Sequence, residues 1–122
     1  MILKKEIIEQ LSNELALPFT GIEQDWNIEM ADSNRINDFL KYYQRRDLSS
    51  DKKVAVMSLI LVSYEDFLNE HDLEMDDGWN EIKSILESER ILFVDLIDYW
   101  SLGNEIEEDN LFRITPLMRN IK

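Results

Sequence analysis

The apolar residues of this chain recur with helical spacing over most of its length. In residues 2–16 they fall four positions apart, and in residues 36–43 they follow the i, i+3, i+4, i+7 pattern of one buried helix face. Asp32 or Ser33 is placed to cap the second of these helices. The first stripe consists of Leu3, Ile7, Leu11 and Leu15, widened by Ile8, and the second of Ile36, Phe39, Leu40 and Tyr43.

The third apolar segment, residues 54–68, is apolar nearly all round at its start. A β-strand over residues 54–62 is one interpretation. A three-four spacing nevertheless continues to Leu68, well beyond the usual length of a strand, and favours a buried central helix. Ser49 or Ser50 would cap that helix.

The second half of the chain predicts three further helices, although residues 91–94 remain open between strand and helix. Capping signals bound these helices: Asp76 or Asp77 before the fourth, Ser88 before the fifth, Gly103 after the fifth, and Thr115 with Pro116 at the start of the last. Their apolar stripes are Trp79, Ile82 and Leu86 in the fourth helix and Phe93, Leu96, Ile97 and Trp100 in the fifth.

Residues 17–31 show no clear period, because Pro18 and Gly21 interrupt the pattern. Trp26 and Ile28 could form a short strand or anchor a loop on the core. A connection of this length tends to be functional or to contain a short element.

Together these elements predict an all-α fold, a single-domain helical bundle of about five to six helices in antiparallel pairs. A length of 122 residues suits one domain, which we expect to extend over residues 1–122. No internal repeat is visible.

Composition narrows the function classes. With 44% apolar and 32% charged residues, the chain is typical of a soluble globular protein. It has no cysteine, and His71 is its only histidine, so disulfides, thiolate metal sites and histidine relays lack the residues they need. The N-terminus becomes charged too early for a signal peptide, and no apolar run reaches 18 residues. We therefore expect a cytoplasmic protein that does not associate with membranes.

The net charge of −13 is unevenly distributed. Residues 1–61 contain eight Lys and Arg against ten Asp and Glu, whereas residues 62–122 contain five against sixteen. Such a charge repels nucleic acid and accelerates encounter with a basic partner. The basic cluster of residues 41–46, in which Lys41, Arg45 and Arg46 flank Tyr42 and Tyr43, could hold single-stranded nucleic acid. Tyr43 belongs to a core stripe, however, and the two arginines close a helix, so we predict no nucleic-acid binding.

The acidic stretch at residues 70–81 invites comparison with a calcium-binding loop. With Asp72 at position one, the required glycine is displaced to Gly78, and Lys83 replaces the glutamate at position twelve. The stretch therefore does not fit an EF-hand, and we predict no metal or other cofactor.

Candidate catalytic groups are few. Asp95 and Asp98 lie three residues apart within an apolar helix and could serve a hydrolase if one of them were buried. Exposure on an amphipathic helix is the usual state of such carboxylates. The sequence contains no phosphate-binding loop, nucleophile elbow or Cys/His dyad. We therefore predict that the protein is not an enzyme.

Aromatic residues border both acidic stretches. Trp79 follows the first one, and Trp100 precedes the second. Core packing is the usual role of each tryptophan, but an aromatic side chain surrounded by carboxylates also suits a protein interface. Tyr99 adds a polar-tipped contact on the same side.

Residues 54–119 resemble a known class of proteins. The order LILVSYEDFL, GWNEIKSIL and DYWSLGNEIEEDNLFRITPLMR is similar to small acidic helical immunity proteins of bacterial contact-dependent inhibition and related polymorphic toxin systems. The most distinctive parts are the Tyr99–Trp100 pair, the acidic loop and FRITPLMR. Such proteins bind a cognate toxin domain, often a basic nuclease, and block its active site or substrate face.

The resemblance implies a toxin-binding surface built on the two acidic stretches. Its candidate residues are Asp72, Glu74, Asp76, Asp77, Trp79, Glu81, Tyr99, Glu105, Glu107, Glu108 and Asp109. A general acidic adaptor or regulatory protein is the first alternative, and a carboxylate-dependent hydrolase is the second.

Overall fold

The computed structural model describes residues 3–45 and 47–122, and only the backbone of Arg45. Residue 2, the first of the predicted helical segment 2–16, and the Arg45 and Arg46 side chains, predicted to close the second helix, fall outside this description. The described residues form seven α-helices and no strand, so the all-α class is confirmed. The helices are α1 (Lys5–Glu14), α2 (Trp26–Glu29), α3 (Ile36–Arg45), α4 (Ser50–His71), α5 (Gly78–Ser88), α6 (Val94–Ser101) and α7 (Thr115–Arg119).

The chain divides into two compact units, Met1–Phe67 and Leu68–Lys122, and α4 contributes residues to both. Below they are called the N-terminal and C-terminal units. The prediction of one domain over residues 1–122 stays a prediction.

Helix α4 confirms the helical interpretation of the third apolar segment. Every residue from position 55 to position 65 is buried, so this stretch has no solvent-facing stripe. Ser49 Oγ accepts a hydrogen bond from the backbone N–H of Lys52 (3.3 Å), which confirms Ser49 as the cap of this helix.

The N-terminal unit is held together by polar contacts to helix ends as well as by its core. Trp26 Nε1 donates to Ser12 Oγ (2.8 Å), and Ser63 Oγ accepts a bond from the Asp32 N–H (3.0 Å). Arg35 Nη2 donates to the carbonyl of Leu15 at 2.8 Å, just after α1 ends. These bonds satisfy backbone and indole groups that would otherwise lack partners.

Residues 17–31 contain a short helix that is not predicted from the sequence pattern. The short strand considered at Trp26 and Ile28 is wrong, because residues 26–29 form the single helical turn α2. Trp26 is buried and Ile28 is exposed, so the tryptophan anchors the segment.

The C-terminal unit contains the end of α4 and helices α5, α6 and α7, with a 3₁₀ turn at Glu108–Asn110. Its core combines three large aromatic side chains with aliphatic ones from every helix, namely Leu68, Trp79, Ile82, Leu86, Phe93, Leu96, Ile97, Trp100, Ile114, Met118 and Ile121. Arg90 Nη1 donates to the Ile121 carbonyl (3.3 Å), and the backbone N–H of Lys122 donates to Glu87 Oε2 (3.1 Å). The end of the chain is thereby fixed to this unit.

Two predicted helix caps are wrong. Ser88 does not cap the fifth predicted helix, because it is the last residue of α5 and its hydroxyl donates to the Ile85 carbonyl (3.1 Å). Residues 91–93 form a turn, and α6 begins at Val94. Gly103 lies just past the end of α6, as predicted, and the C-cap residue Leu102 takes the left-handed conformation, with φ of 46°. Thr115 does not cap α7: it is the first residue of that helix, Ile114 is the N-cap, and the Thr115 hydroxyl accepts from the Phe112 N–H (3.1 Å).

Candidate protein-binding surface

The C-terminal unit has a large excess of negative charge. Its residues, 68–122, include fourteen Asp and Glu against five Lys and Arg, a net of −9. Its three arginines, Arg90, Arg113 and Arg119, each donate hydrogen bonds to backbone carbonyls of the same unit. Much of the unit's positive charge is therefore used to hold its own backbone.

Arg113 fixes the first acidic stretch, residues 70–81, at the end of α4. Its Nε donates to Asn69 Oδ1 (2.8 Å), its Nη1 to the Leu73 carbonyl (3.2 Å) and its Nη2 to Asp72 Oδ1 (2.8 Å). Asp72 has a left-handed backbone with φ of 52° and ends the helix. The structure thus gives Asp72 an internal partner and a role in the turn.

Replacing Arg113 by Met is expected to lower the free energy of unfolding by about 1–3 kcal/mol, because three acceptors lose a charged donor. Asp72→Asn is the matched control: it removes one exposed ion pair, leaves the other two bonds and should cost no more than about 1 kcal/mol. Denaturant unfolding measures both. Equal losses for the two variants would show that the ion pair alone matters.

A second arginine fixes the other acidic stretch, residues 104–110. Arg119 Nε donates to the Ser101 carbonyl (2.7 Å), and its Nη2 donates to the carbonyls of Leu102 and Glu105 (both 2.9 Å). These bonds satisfy carbonyls at the end of α6 and hold the loop against α7. The left-handed Leu102 lies inside this clamp, which explains how a non-glycine residue keeps that backbone conformation.

Glu105 folds back onto its own loop. Its Oε1 accepts bonds from the N–H groups of Ile106 (3.1 Å) and Glu107 (3.0 Å). The bond from the Glu107 N–H, followed by that from the Asn110 side chain, lowers the pKa of Glu105, with a smaller contribution from Arg119 and some opposition from desolvation. The Glu105 carboxylate, predicted from the sequence to bind a partner, therefore stabilises the conformation of its own loop.

A lowered pKa makes the order of this loop depend on pH. The ionised carboxylate is the better acceptor, so its contribution is complete above the ordinary pKa of 4.5 and is lost as the pH falls through the lowered value in the folded state. We expect the amide resonances of Ile106 and Glu107 to titrate with a midpoint below 4.5 in NMR spectra. Glu105→Gln should abolish this titration. A midpoint at or above 4.5 would contradict the observed bonding.

The two acidic stretches are linked through Arg113. This residue follows Asp109 by four positions, so their Cα atoms lie within about 14 Å of each other, and its guanidinium binds Asp72 and Leu73 in the first stretch. The segment that directly follows the second acidic stretch is therefore hydrogen-bonded to the beginning of the first acidic stretch.

Five of the predicted carboxylates are exposed and have no hydrogen bond or ion pair to any other described residue. The remaining ones have internal interactions: Asp72 with Arg113, Asp76 with the Gly78 N–H (3.1 Å), Glu105 within its loop, and Glu81 within the chain. The five carboxylates without internal partners are Glu74, Asp77, Glu107, Glu108 and Asp109.

Exposed apolar side chains lie among these carboxylates. Met75 is 53% exposed beside Glu74, and Ile106 is 88% exposed between Glu105 and Glu107. Tyr99 is 59% exposed and packs on Phe112, with 6.2 Å between ring centroids. Each acidic stretch therefore presents an apolar side chain to solvent, and Tyr99 adds an aromatic one.

The tryptophans do not contribute to this surface. Trp79 is 3% exposed and Trp100 is 6% exposed, so both belong to the core of the C-terminal unit. The interface role considered for Trp79 is corrected accordingly, because a side chain that is almost completely buried has no surface to offer. The apolar side chains that are available to a partner in the acidic stretches are instead those of Met75 and Ile106, which are not among the residues predicted from the sequence. Their signal in the sequence is an apolar residue inside an otherwise acidic loop.

Asp95 and Asp98 are both exposed on α6. Neither has the buried setting that the hydrolase alternative required. Across residues 3–45 and 47–122, no group of three or more His, Asp or Glu side chains is arranged to hold a metal ion. None of the helices in the described part of the chain combines the length and apolar character needed to cross a lipid bilayer.

No protein-family model matches this chain, and comparisons with curated proteins and with solved structures found no match.

Proposed function

We propose that this chain is a cytoplasmic, non-catalytic immunity protein. It binds a cognate protein toxin domain, a basic nuclease, and blocks the active site or the substrate-binding face. The observation that supports this most directly is the surface of the C-terminal unit, where exposed carboxylates without internal partners adjoin exposed apolar side chains in the sequence.

The charges suit capture of a basic partner. Long-range attraction raises the rate of encounter, and rows of carboxylates resemble the phosphates that a nuclease surface is built to attract. Glu107, Glu108 and Asp109 are consecutive and have no internal partner, so their field is directed to solvent. Asp77 and Glu74 extend this field to the first acidic stretch.

The apolar side chains supply the short-range part of binding. An Ile or Met side chain that is exposed in the free protein gains stability when a partner covers it, by about 25 cal/mol for each Å² of apolar area. Ile106 lies in the loop that Arg119 and Glu105 hold in place. Because this loop is ordered before binding, less conformational entropy is lost on association.

The resemblance of residues 54–119 to immunity proteins of polymorphic toxin systems agrees with this surface. Its distinctive segments contain Tyr99, the second acidic stretch and Arg113 with Arg119, and these segments form or hold the surface.

A rescue assay tests the proposal. The C-terminal domain of the polypeptide encoded immediately upstream of this chain's gene is induced in cells with and without this protein, and survivors are counted. We expect the domain to kill and this chain to restore growth. A neighbour that is harmless alone would favour the acidic adaptor, and killing without rescue would refute immunity against that toxin.

A further inference from the structure

Tyr99 presents an aromatic surface that is fixed in place and open to solvent. Phe112 stacks against its ring at 6.2 Å with an interplanar angle of 29°, and Trp100 packs edge-on at 5.4 Å and 89°. The residue is nevertheless 59% exposed. The ring is therefore held by two aromatic neighbours while much of its surface remains available to a partner.

Carboxylates accompany this ring on α6. Asp95 lies one turn before Tyr99, a spacing that brings the two Cβ atoms to about 5–6 Å on the same helix face. Asp98 directly precedes Tyr99 in the sequence. Both aspartates are exposed and make no hydrogen bond or ion pair with any described residue.

The N-terminal unit contains a related Asp–aromatic pair that already binds a guanidinium, although its aromatic ring is buried. On α3, Asp38 directly precedes Phe39, and the guanidinium of Arg35 lies over the Phe39 ring at 5.2 Å. Arg35 Nε also donates to Asp38 Oδ2 at 3.2 Å. Arg35 stands four positions before the aromatic residue, and the corresponding position before Tyr99 is Asp95. In α6 an acid therefore stands where α3 is preceded by Arg35, and Tyr99 is exposed where Phe39 is buried.

We propose that Tyr99, Asp95 and Asp98 form a seat for an arginine side chain of the partner. This inference deepens the proposed function, on which it rests, by naming the group that the toxin domain inserts. A guanidinium can stack on an aromatic ring and donate two parallel bonds to a carboxylate. Lysine offers a compact charge without the planar fork, so the seat prefers arginine. The seat also gives Asp95 and Asp98 a binding role in place of a catalytic one.

Binding of the purified toxin domain to variants of the full chain tests the seat. Tyr99→Leu and Asp95→Asn are each expected to weaken binding by about 5- to 30-fold. The double variant should lose less than the product of the two, because each residue acts on the same guanidinium. Tyr99→Phe keeps the ring and should bind within about twofold of wild type. Unfolding curves confirm that each variant is folded.

Asp77→Asn provides the matched control. It removes one exposed, unpaired carboxylate from the same unit, so it changes the net charge by the same amount. In the Asp77→Asn/Tyr99→Leu double variant, the fold-loss in affinity should equal the product of the losses of the two single variants. If Asp95 and Asp77 give the same independent effects, only general electrostatics operates and the seat is refuted while the proposed function stands.

A titration without the toxin separates the two proposals. The Tyr99 ring resonances are followed by NMR as Nα-acetyl-arginine amide is added to the full chain, with Nα-acetyl-lysine amide at equal concentration as the comparison. We expect larger shifts with the arginine compound, and their loss in Asp95→Asn/Asp98→Asn. Equal shifts from both compounds, or none at Tyr99, would overturn the seat whatever the rescue assay shows.

Discussion

Replacing Glu107, Glu108 and Asp109 with Gln, Gln and Asn is expected to slow capture of the toxin domain by about tenfold or more at low salt. These side chains have no internal partner, so their charge acts on the approaching molecule. The free energy of unfolding should stay the same or rise slightly, because repulsion within a chain of net charge −13 is reduced. Stopped-flow association rates across a salt series provide the measurement.

The N-terminal unit offers a triple variant with the same change in charge. Glu6, Asp25 and Asp47 are exposed and have no hydrogen bond or ion pair through their carboxylates in the described part of the chain. Neutralising them also raises the net charge by three units, so any effect of overall charge is matched. We expect less than a threefold change in the association rate. Equal slowing by both variants would show that net charge, and not this surface, drives capture.

Trp26→Ala is expected to lower the free energy of unfolding by about 3–5 kcal/mol, the range for removing a buried large aromatic side chain. Trp26 fills the core of the N-terminal unit, and its indole N–H is bonded to the buried Ser12 hydroxyl at 2.8 Å. Trp26→Phe retains most of the volume but leaves that hydroxyl without its donor, and should cost less. Chemical denaturation gives the values.

Ile28→Ala, two positions along on the same short helix, is the control for Trp26. Its side chain is 57% exposed, so its removal should change the free energy of unfolding by no more than about 0.5 kcal/mol. A large loss at Ile28 would mean that α2 is buried by a partner or a second copy. A small loss at Trp26 would mean that residues 17–31 do not depend on this anchor.

The main helices could be predicted because the three-four spacing of their apolar residues continues over more residues than a β-strand contains. Helix α4 was the most ambiguous, since a fully buried helix and a buried strand share the same apolar composition. Its length decided the matter, because three-four spacing extends from residue 54 to residue 68. In the other long helices, one apolar face and one polar face gave the pattern directly.

Short elements and helix ends depend on distant residues, and the sequence pattern could not supply them. Helix α2 has four residues, too few to show a period, and its tryptophan is bonded to Ser12 fourteen positions away. Gly103 marks the end of α6, yet the left-handed residue is Leu102, whose carbonyl Arg119 binds together with that of Ser101. A local signal is overridden where a long-range contact satisfies the same groups.

The acidic character of the candidate surface can be predicted from composition. Which carboxylates are available to a partner cannot. Asp72 and Glu105 look no different in sequence from Glu107 or Asp109. The structure separates them, because Arg113 binds Asp72 and the loop's own N–H groups bind Glu105. The tryptophans were the conspicuous aromatic candidates, but large aromatic side chains in a small unit are used first for its core.

The clamp made by Arg119 has an evolutionary consequence. All three of its acceptors are backbone carbonyls, which every amino acid provides whatever its side chain. Exposed side chains of this loop that make no internal bond, such as those of Ile106 and Glu107, can therefore be exchanged by mutation while the clamp continues to position the backbone. A lineage facing a changed toxin could alter its recognition residues one at a time without first rebuilding the fold that displays them.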